Sequence, residues 1–315
     1  MTVRLFLGRY GTALAGLVMV GFFMAFAQNF TAPNNLLNVA KDTCALAILA
    51  LGFALALTVA ELDLSVADVA SLAAVVAGWC IQAQYPPAVA VLAALGVGLG
   101  CGLFNGFGVT VLRVPSLITT LGMSAIARGA AFMITEGVAF TGRWPRPFTD
   151  LARGSSFGVP NLLFWLAGVS AFAALLLGWT RLGAHMVATG EAEEAARLSG
   201  IATARMKRLG LALAGLCAGL TAVLLAANLS SAAPNMAGDY FLYAIAAVLL
   251  GMTMFDPGRP NVAGTLAAAV ILKVLGNGLI LLGTAYYVQD IVLGVIIIGS
   301  VAFSAGVVRK AAFKL

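Results

Sequence analysis

Residues 88–111 read AVAVLAALGVGLGCGLFNGFGVTV. The run carries no charged residue. As an α-helix, a stretch of this length extends about 36 Å, enough to cross a hydrocarbon layer of roughly 30 Å. Gly98, Gly102 and Gly106 recur every four residues. That spacing puts them on one helix face, where two backbones can approach closely. The run is therefore expected to be a membrane helix packed against another helix, and its glycine density does not make it a phosphate loop.

Nine further apolar segments flank this one, at about 12–28, 42–60, 64–83, 116–135, 161–179, 209–228, 240–255, 261–281 and 286–305. Mean hydropathy is +1.02 and only 10% of residues are charged, against about 25% in soluble domains. The expected fold is an all-α membrane protein, a polytopic bundle of about ten transmembrane helices forming one membrane domain over residues 1–315. Glu61, Asp63 and Asp68 interrupt the second and third segments, so one of these is expected to be broken or re-entrant. Arg4, Arg9 and Ala25-Phe26-Ala27 resemble the ends of a cleavable signal sequence, but an intact first helix gives an even count of crossings.

The bases orient the chain. With the N-terminus inside, Arg4, Arg9, Arg113, Arg181, Arg197, Arg205, Lys207, Arg208, Arg259, Arg309, Lys310 and Lys314 are cytoplasmic, and Lys41, Arg143, Arg146 and Arg153 are outside. Cytoplasmic excess of Lys and Arg favours this sense and places both termini in the cytoplasm. The net charge of +6 thus follows from insertion rather than from nucleic-acid binding. In the outer loop 136–160, Trp144 and Phe148 among arginines suit a membrane interface; the loop could also dock a periplasmic partner.

Four cysteines, Cys44, Cys80, Cys101 and Cys217, lie inside apolar runs without metal spacing, and His185 is the single histidine. No convergent catalytic set is visible, which argues against a membrane enzyme. None of the lysines follows a glycine, so no Walker A loop is present. Charges inside the bilayer are few. Lys273 needs a partner, a watery cavity or room to snorkel, while Asp290 and Arg128 fall nearer segment ends.

Against this background the stretch 190–208, GEAEEAARLSGIATARMKR, stands out with three acids and four bases. Glu191–Ser199 is expected to form a short helix ended by Gly200, with Glu193 and Arg197 paired across a turn. Such a helix can insert into a groove on a partner. Glu194-Ala195-Ala196-Arg197-Leu198-Ser199-Gly200 reads EAA-x-x-x-G and resembles the cytoplasmic coupling motif of ABC importer permeases, in the form typical of ribose/xylose/galactoside-type sugar permeases. More of the chain agrees, in order. Phe30-Thr31 with Asn34–Asn38, Leu62-Asp63-Leu64-Ser65-Val66, Val114–Met123, Leu229–Pro234, Ala244–Gly251 and Gly276–Leu279 are similar to that family's successive motifs. Departures occur at Glu61, Ala67, Met252 and the 239–243 region, and Lys273 has no counterpart in the family pattern.

The resemblance implies an ABC importer permease architecture in the bacterial inner membrane. It also implies a homo- or heterodimeric permease, separate ATPase subunits that hold the ATP and magnesium, and a periplasmic solute-binding protein that delivers a sugar or sugar-like solute. Glu194, Ala195, Ala196, Leu198 and Gly200, within a coupling loop of about 181–208, would meet the ATPase. This chain would bind no cofactor itself. For the solute pathway the polar residues within or at the ends of apolar helices are candidates: Asp63, Ser65, Asn105, Thr119, Thr120 and Asn277. The competing reading is a stand-alone, ion-coupled secondary carrier, which the scarcity of buried carboxylates weakens.

Overall fold

The computed structural model describes the backbone of residues 3–312 and the side chains of residues 10–300 other than 286. The side chains of Arg4, Arg9, Arg309 and Lys310, and the whole of Lys314, all counted among the cytoplasmic bases, lie outside that description. In chain order the helices are α1 (Val3–Phe26), α2 (Pro33–Thr58), α3 (Val66–Gln82), α4 (Pro87–Thr110), α5 (Ser116–Thr135), α6 (Arg146–Arg153), α7 (Asn161–Trp179), α8 (Arg181–Glu191), α9 (Glu193–Leu198), α10 (Thr203–Leu229), α11 (Tyr240–Gly251), α12 (Val262–Leu281) and α13 (Tyr286–Ala312). Each of the ten apolar segments of the sequence is one of these helices; α6, α8 and α9 occupy the loops. Prolines at the first position of α2 and α4 start helices where a missing N–H costs nothing.

α2 and α10 form the centre. α2 is buried without interruption from Thr43 to Thr58, and α10 packs on α2, α3 and α4. The α4–α10 contact is made by the glycines of the opening stretch. A Cβ on Gly98 would run into the backbone of Gly215 and Gly219, one on Gly102 into Leu211 and Ala212, and one on Gly106 into Arg208. Two glycines of α10 thus face two of α4, and the backbones touch as the four-residue spacing requires. Gly102→Val should force these helices apart and cost about 1–3 kcal/mol. This would be read as a lower unfolding temperature in detergent; an unchanged midpoint would mean that the two faces are not in contact.

Two stretches of chain depart from helix at membrane depth. The first is the break expected between the second and third segments. α2 stops at Thr58, residues 59–65 are irregular with Ala60 at φ +57°, and α3 resumes at Val66. The second follows α10. Strand β4 (Ser231–Ala232) pairs with β1 (Phe140–Thr141) in the outer loop, and Ala232 lies against Gly78 near the outer end of α3. By Ala237 the chain has descended far enough for its N–H to donate to Ser71 Oγ at 3.1 Å. Gly78 and Ser71 are seven residues apart on α3, so the dip is roughly 10 Å at the helical rise. α11, only 12 residues long, starts from this depth. Irregular backbone at such depth is tolerated only where protein buries it or where it lines a cavity.

The outer loop differs from the interface reading. Trp144, just before α6, and Phe148, within it, are buried with their rings 5.4 Å apart. They anchor α6 to the bundle instead of standing in a lipid headgroup layer. Strands β2 (Ser155–Ser156) and β3 (Val159–Pro160) close a small hairpin before α7.

Candidate functional site

The charge-dense stretch folds as two short helices hung from the end of α7. Thr180 caps α8, its Oγ1 accepting from the Gly183 N–H at 3.0 Å. α8 lies so close to the end of α2 that a Cβ on Gly190 would strike the Thr58 carbonyl. α9 then runs over Glu193–Leu198 and ends in a Schellman motif. Ile201 N–H donates to Ala196 O and Gly200 N–H to Arg197 O, both at 3.0 Å, with Gly200 at φ +83°. Ala196 is buried and anchors the helix, while Ile201 joins a small apolar core of Leu55, Val59, Leu176, Met186 and Met206. The opposite face points away: the side chain of Glu194 is 84% exposed and Leu198 is 83% exposed. Beside α8 a cavity of about 920 Å³ lies between the ends of α2 and α7 and residues 256–262, and Arg259 reaches Glu191 at 2.6 Å there.

The expected Glu193–Arg197 turn pair is replaced by a longer-range contact. Glu193 reaches Lys207 at 2.8 Å, and Lys207 also reaches Glu61 at 2.9 Å; Arg197 lies 3.9 Å from Glu194. Lys207 and Glu61 are both buried. One base of the supposed water-facing cluster is therefore an internal tie. It joins α9 and the first turns of α10 to the break between α2 and α3.

That break holds two of the polar residues singled out in the sequence, Asp63 and Ser65, and Asn105 of α4 reaches them. Asp63 Oδ1 accepts from Ser65 N–H at 3.0 Å and from Ser65 Oγ at 2.5 Å. Asn105 Nδ2 donates to Ser65 Oγ at 3.0 Å and approaches Asp63 Oδ1 at 3.4 Å. All three are fully enclosed, and Asn105 Oδ1 is left without a hydrogen-bond partner among the described residues. Thr120 joins them by donating to the Leu62 carbonyl at 3.1 Å and to its own helix at Ser116. Thr119 stays on α5, bonding to Val114 and Pro115 carbonyls. Asn277 sits elsewhere, exchanging amide hydrogen bonds of 2.9 and 3.0 Å with Asn35 and so tying α12 to α2.

The intramembrane bases have partners. Lys273 places Nζ 4.8 Å from the Tyr240 ring centre and 5.5 Å from that of Tyr243, a cation–π arrangement that replaces part of its hydration. Arg128 was expected near a segment end; it is the thirteenth of 20 residues in α5. Its Nε and Nη2 donate to the two oxygens of Asp68 at 3.1 and 3.0 Å, and Ser124 Oγ donates to Asp68 as well.

Residues 35–301 match the family described as branched-chain amino acid transport system / permease component. The chain belongs to that family. It is 38% identical over 294 residues to the ribose import permease protein RbsC of Escherichia coli K12, covering 90% of each chain. It is 30% identical to the L-arabinose transport system permease protein AraH of the same organism, over 94% of this chain and 90% of that one. It is also 29% identical to the autoinducer 2 import system permease protein LsrC of Yersinia enterocolitica, over 94% and 82%. Among solved structures, a metal-chelate type ABC transporter in an inward-facing conformation superposes with a TM-score of 0.54, covering 97% of this chain and 98% of that one at 15% identity; that likeness concerns the fold. The protein is a multi-pass inner-membrane permease of an ABC importer.

For such a permease the sequence reading missed three features. Lys207 and Glu61 lie 146 positions apart, and no local pattern pairs them. Asp68 reads as an interruption between segments and Arg128 as a charge nearer a segment end, and their partnership was missed. Asn235 and Asp239, in the descending stretch, line a cavity with that pair; an exposed-loop composition concealed their depth.

Proposed function

We propose that this permease imports a sugar or sugar-like solute, driven by ATPase subunits that bind at α9 and supplied by a periplasmic binding protein, with the pathway completed by a second permease chain. Both termini and α9 face the cytoplasm. The observation that carries the reading is the construction of α9: a six-residue helix with an exposed Glu194–Leu198 face, held at its back by Ala196, by a glycine-closed terminus and by a buried lysine. Glu194, Ala195 and Leu198 form the contact with the ATPase, and Ala196 and Gly200 set its angle. Closure of two ATPases would push α9. Lys207 would pass that displacement to Glu61 and to the Asp63–Ser65–Asn105 cluster, where α2, α3, α4 and α5 meet.

The substrate class follows from the relatives, whose names specify ribose, L-arabinose and autoinducer 2. The test is gentle purification from the native membrane, followed by uptake measurements in proteoliposomes. An ATPase should co-purify in roughly equal amounts. Accumulation should require that ATPase, ATP and the binding protein. Accumulation by this chain alone under an ion gradient would replace the importer with a self-sufficient carrier.

A further inference from the structure

The Asp68–Arg128 pair faces a cavity of about 510 Å³, within the size range of small-molecule sites. Its walls come from α3, α5 and the descending stretch 235–241. Both irregular stretches of the membrane interior lead into it: Leu64 from the break before α3, and Asn235, Gly238 and Asp239 from the stretch before α11. Phe241, Leu121 and Phe132 supply an apolar side. A helix-breaking descent of roughly 10 Å that exists only to connect two helices would leave backbone groups poorly satisfied. One that forms the wall of a polar cavity has a reason to persist.

We propose that this cavity is a solute site of the permease itself, selective for a neutral polyhydroxylated ring; the inference rests on the importer reading above. The chemistry runs as follows. A guanidinium has five N–H donors, and Arg128 uses two on Asp68. The arginine side chain is 58% exposed, so its remaining donors are open to the cavity. Asp68, held by three hydrogen bonds, fixes the plane of that guanidinium. Asn235 and Asp239 are exposed, and their side chains make no hydrogen bond among the described residues, so an amide and a carboxylate are available to hydroxyl groups.

Charge decides between solute classes. Asp68 and Arg128 neutralise each other, and Asp239 leaves the lining with a net negative charge. A sugar phosphate, a sugar acid or the carboxylate of an amino acid would meet that charge inside the cavity. A neutral sugar would not. Its hydroxyl rim matches Arg128, Asn235 and Asp239, and its C–H face matches Phe241.

The test uses the full chain in lipid nanodiscs, with saturation-transfer NMR and the probes D-ribose, L-arabinose, ribose 5-phosphate and leucine, alongside uptake by cells carrying the complete transporter. Asn235→Ala and Asp239→Ala are the variants of choice, because neither side chain supports the fold through a hydrogen bond. The expected result is binding of the neutral sugars only. In the variants the half-saturating sugar concentration for binding to the permease should rise at least tenfold, and maximal uptake should fall, while the uptake KM, set by saturation of the binding protein, stays the same. Binding that is unchanged in both variants, or a wild type that binds none of the sugars while its cells import them, would overturn the site and leave the importer reading standing. Tighter binding of ribose 5-phosphate than of ribose would overturn the selectivity. A complete transporter that imports no sugar at all would remove the importer reading from which the site was argued.

Discussion

Lys207→Met is expected to abolish solute uptake and to lower the stability of the permease by about 3–5 kcal/mol, the usual cost of removing one partner from a buried ion pair. The reason is Glu61. Its carboxylate is buried, 2.9 Å from the lysine ammonium, and methionine would leave it without its cation in a poorly hydrated place. Glu193 would lose the same tie, but it is partly exposed and can turn to water. The double variant Lys207→Met/Glu61→Gln removes both buried charges. It should recover much of the stability, because replacing a whole ion pair with neutral groups of similar size is often close to neutral.

Stability and coupling then separate. If Lys207 only holds the fold, the double variant should import solute normally once it is as stable as the wild type. If it transmits motion from α9 to the α2–α3 break, the double variant should fold, bind its ATPase and hydrolyse ATP, yet import at least tenfold more slowly. Unfolding midpoints in detergent, ATPase rates and uptake by the same proteoliposomes decide the matter. Normal uptake by the stabilised double variant would sink the transmission role.

Much of the architecture was legible because membrane insertion imposes long apolar runs. The spacing of Gly98, Gly102 and Gly106 announced a close helix contact, and α10 supplies it through Gly215 and Gly219. Charged positions within the second and third segments announced the break at residues 59–65. Legibility failed where the information was not local. Glu193 had a plausible partner four residues away, and a buried base nearer in space won, because a desolvated contact outcompetes an exposed turn pair worth only a few tenths of a kcal/mol. Trp144 and Phe148 had the composition of interfacial residues, yet the short helix α6 that carries Phe148 packs on the bundle and turns both inward. The descent of residues 232–237 was hidden for a similar reason. Small and polar residues after a membrane helix read as an outer loop, and only the pairing of Ala237 with Ser71 reveals their depth.

Glu194→Arg and Gly200→Pro are expected to uncouple ATP hydrolysis from import by different routes, and the pair tests α9 more sharply than either variant alone. Glu194 is almost wholly exposed, and its ion pair with Arg197 is long at 3.9 Å between two exposed side chains, so its loss should leave stability within about 0.5 kcal/mol of the wild type. Reversing the charge changes only what the helix presents to a partner. The expected readout is a normal unfolding midpoint, weakened co-purification of the ATPase and uptake reduced more than tenfold. Gly200 acts on the helix itself. At φ +83° it occupies the left-handed region, and its N–H donates to Arg197 O. Proline fixes φ near −65° and has no N–H, so it removes both the conformation and the hydrogen bond that close α9. The cost is about 3 kcal/mol or more, confined to a terminus whose anchors, Ala196 and Ile201, lie on either side. The membrane helices should still assemble, the ATPase should still bind through a misaligned α9, and hydrolysis should continue without import. Gly200→Asn, which tolerates the left-handed conformation and keeps the N–H, should restore most of the uptake. That rescue distinguishes a geometric requirement at residue 200 from general damage. If Gly200→Asn were as defective as Gly200→Pro, the closed end of α9 would not be what sets the angle of the coupling helix.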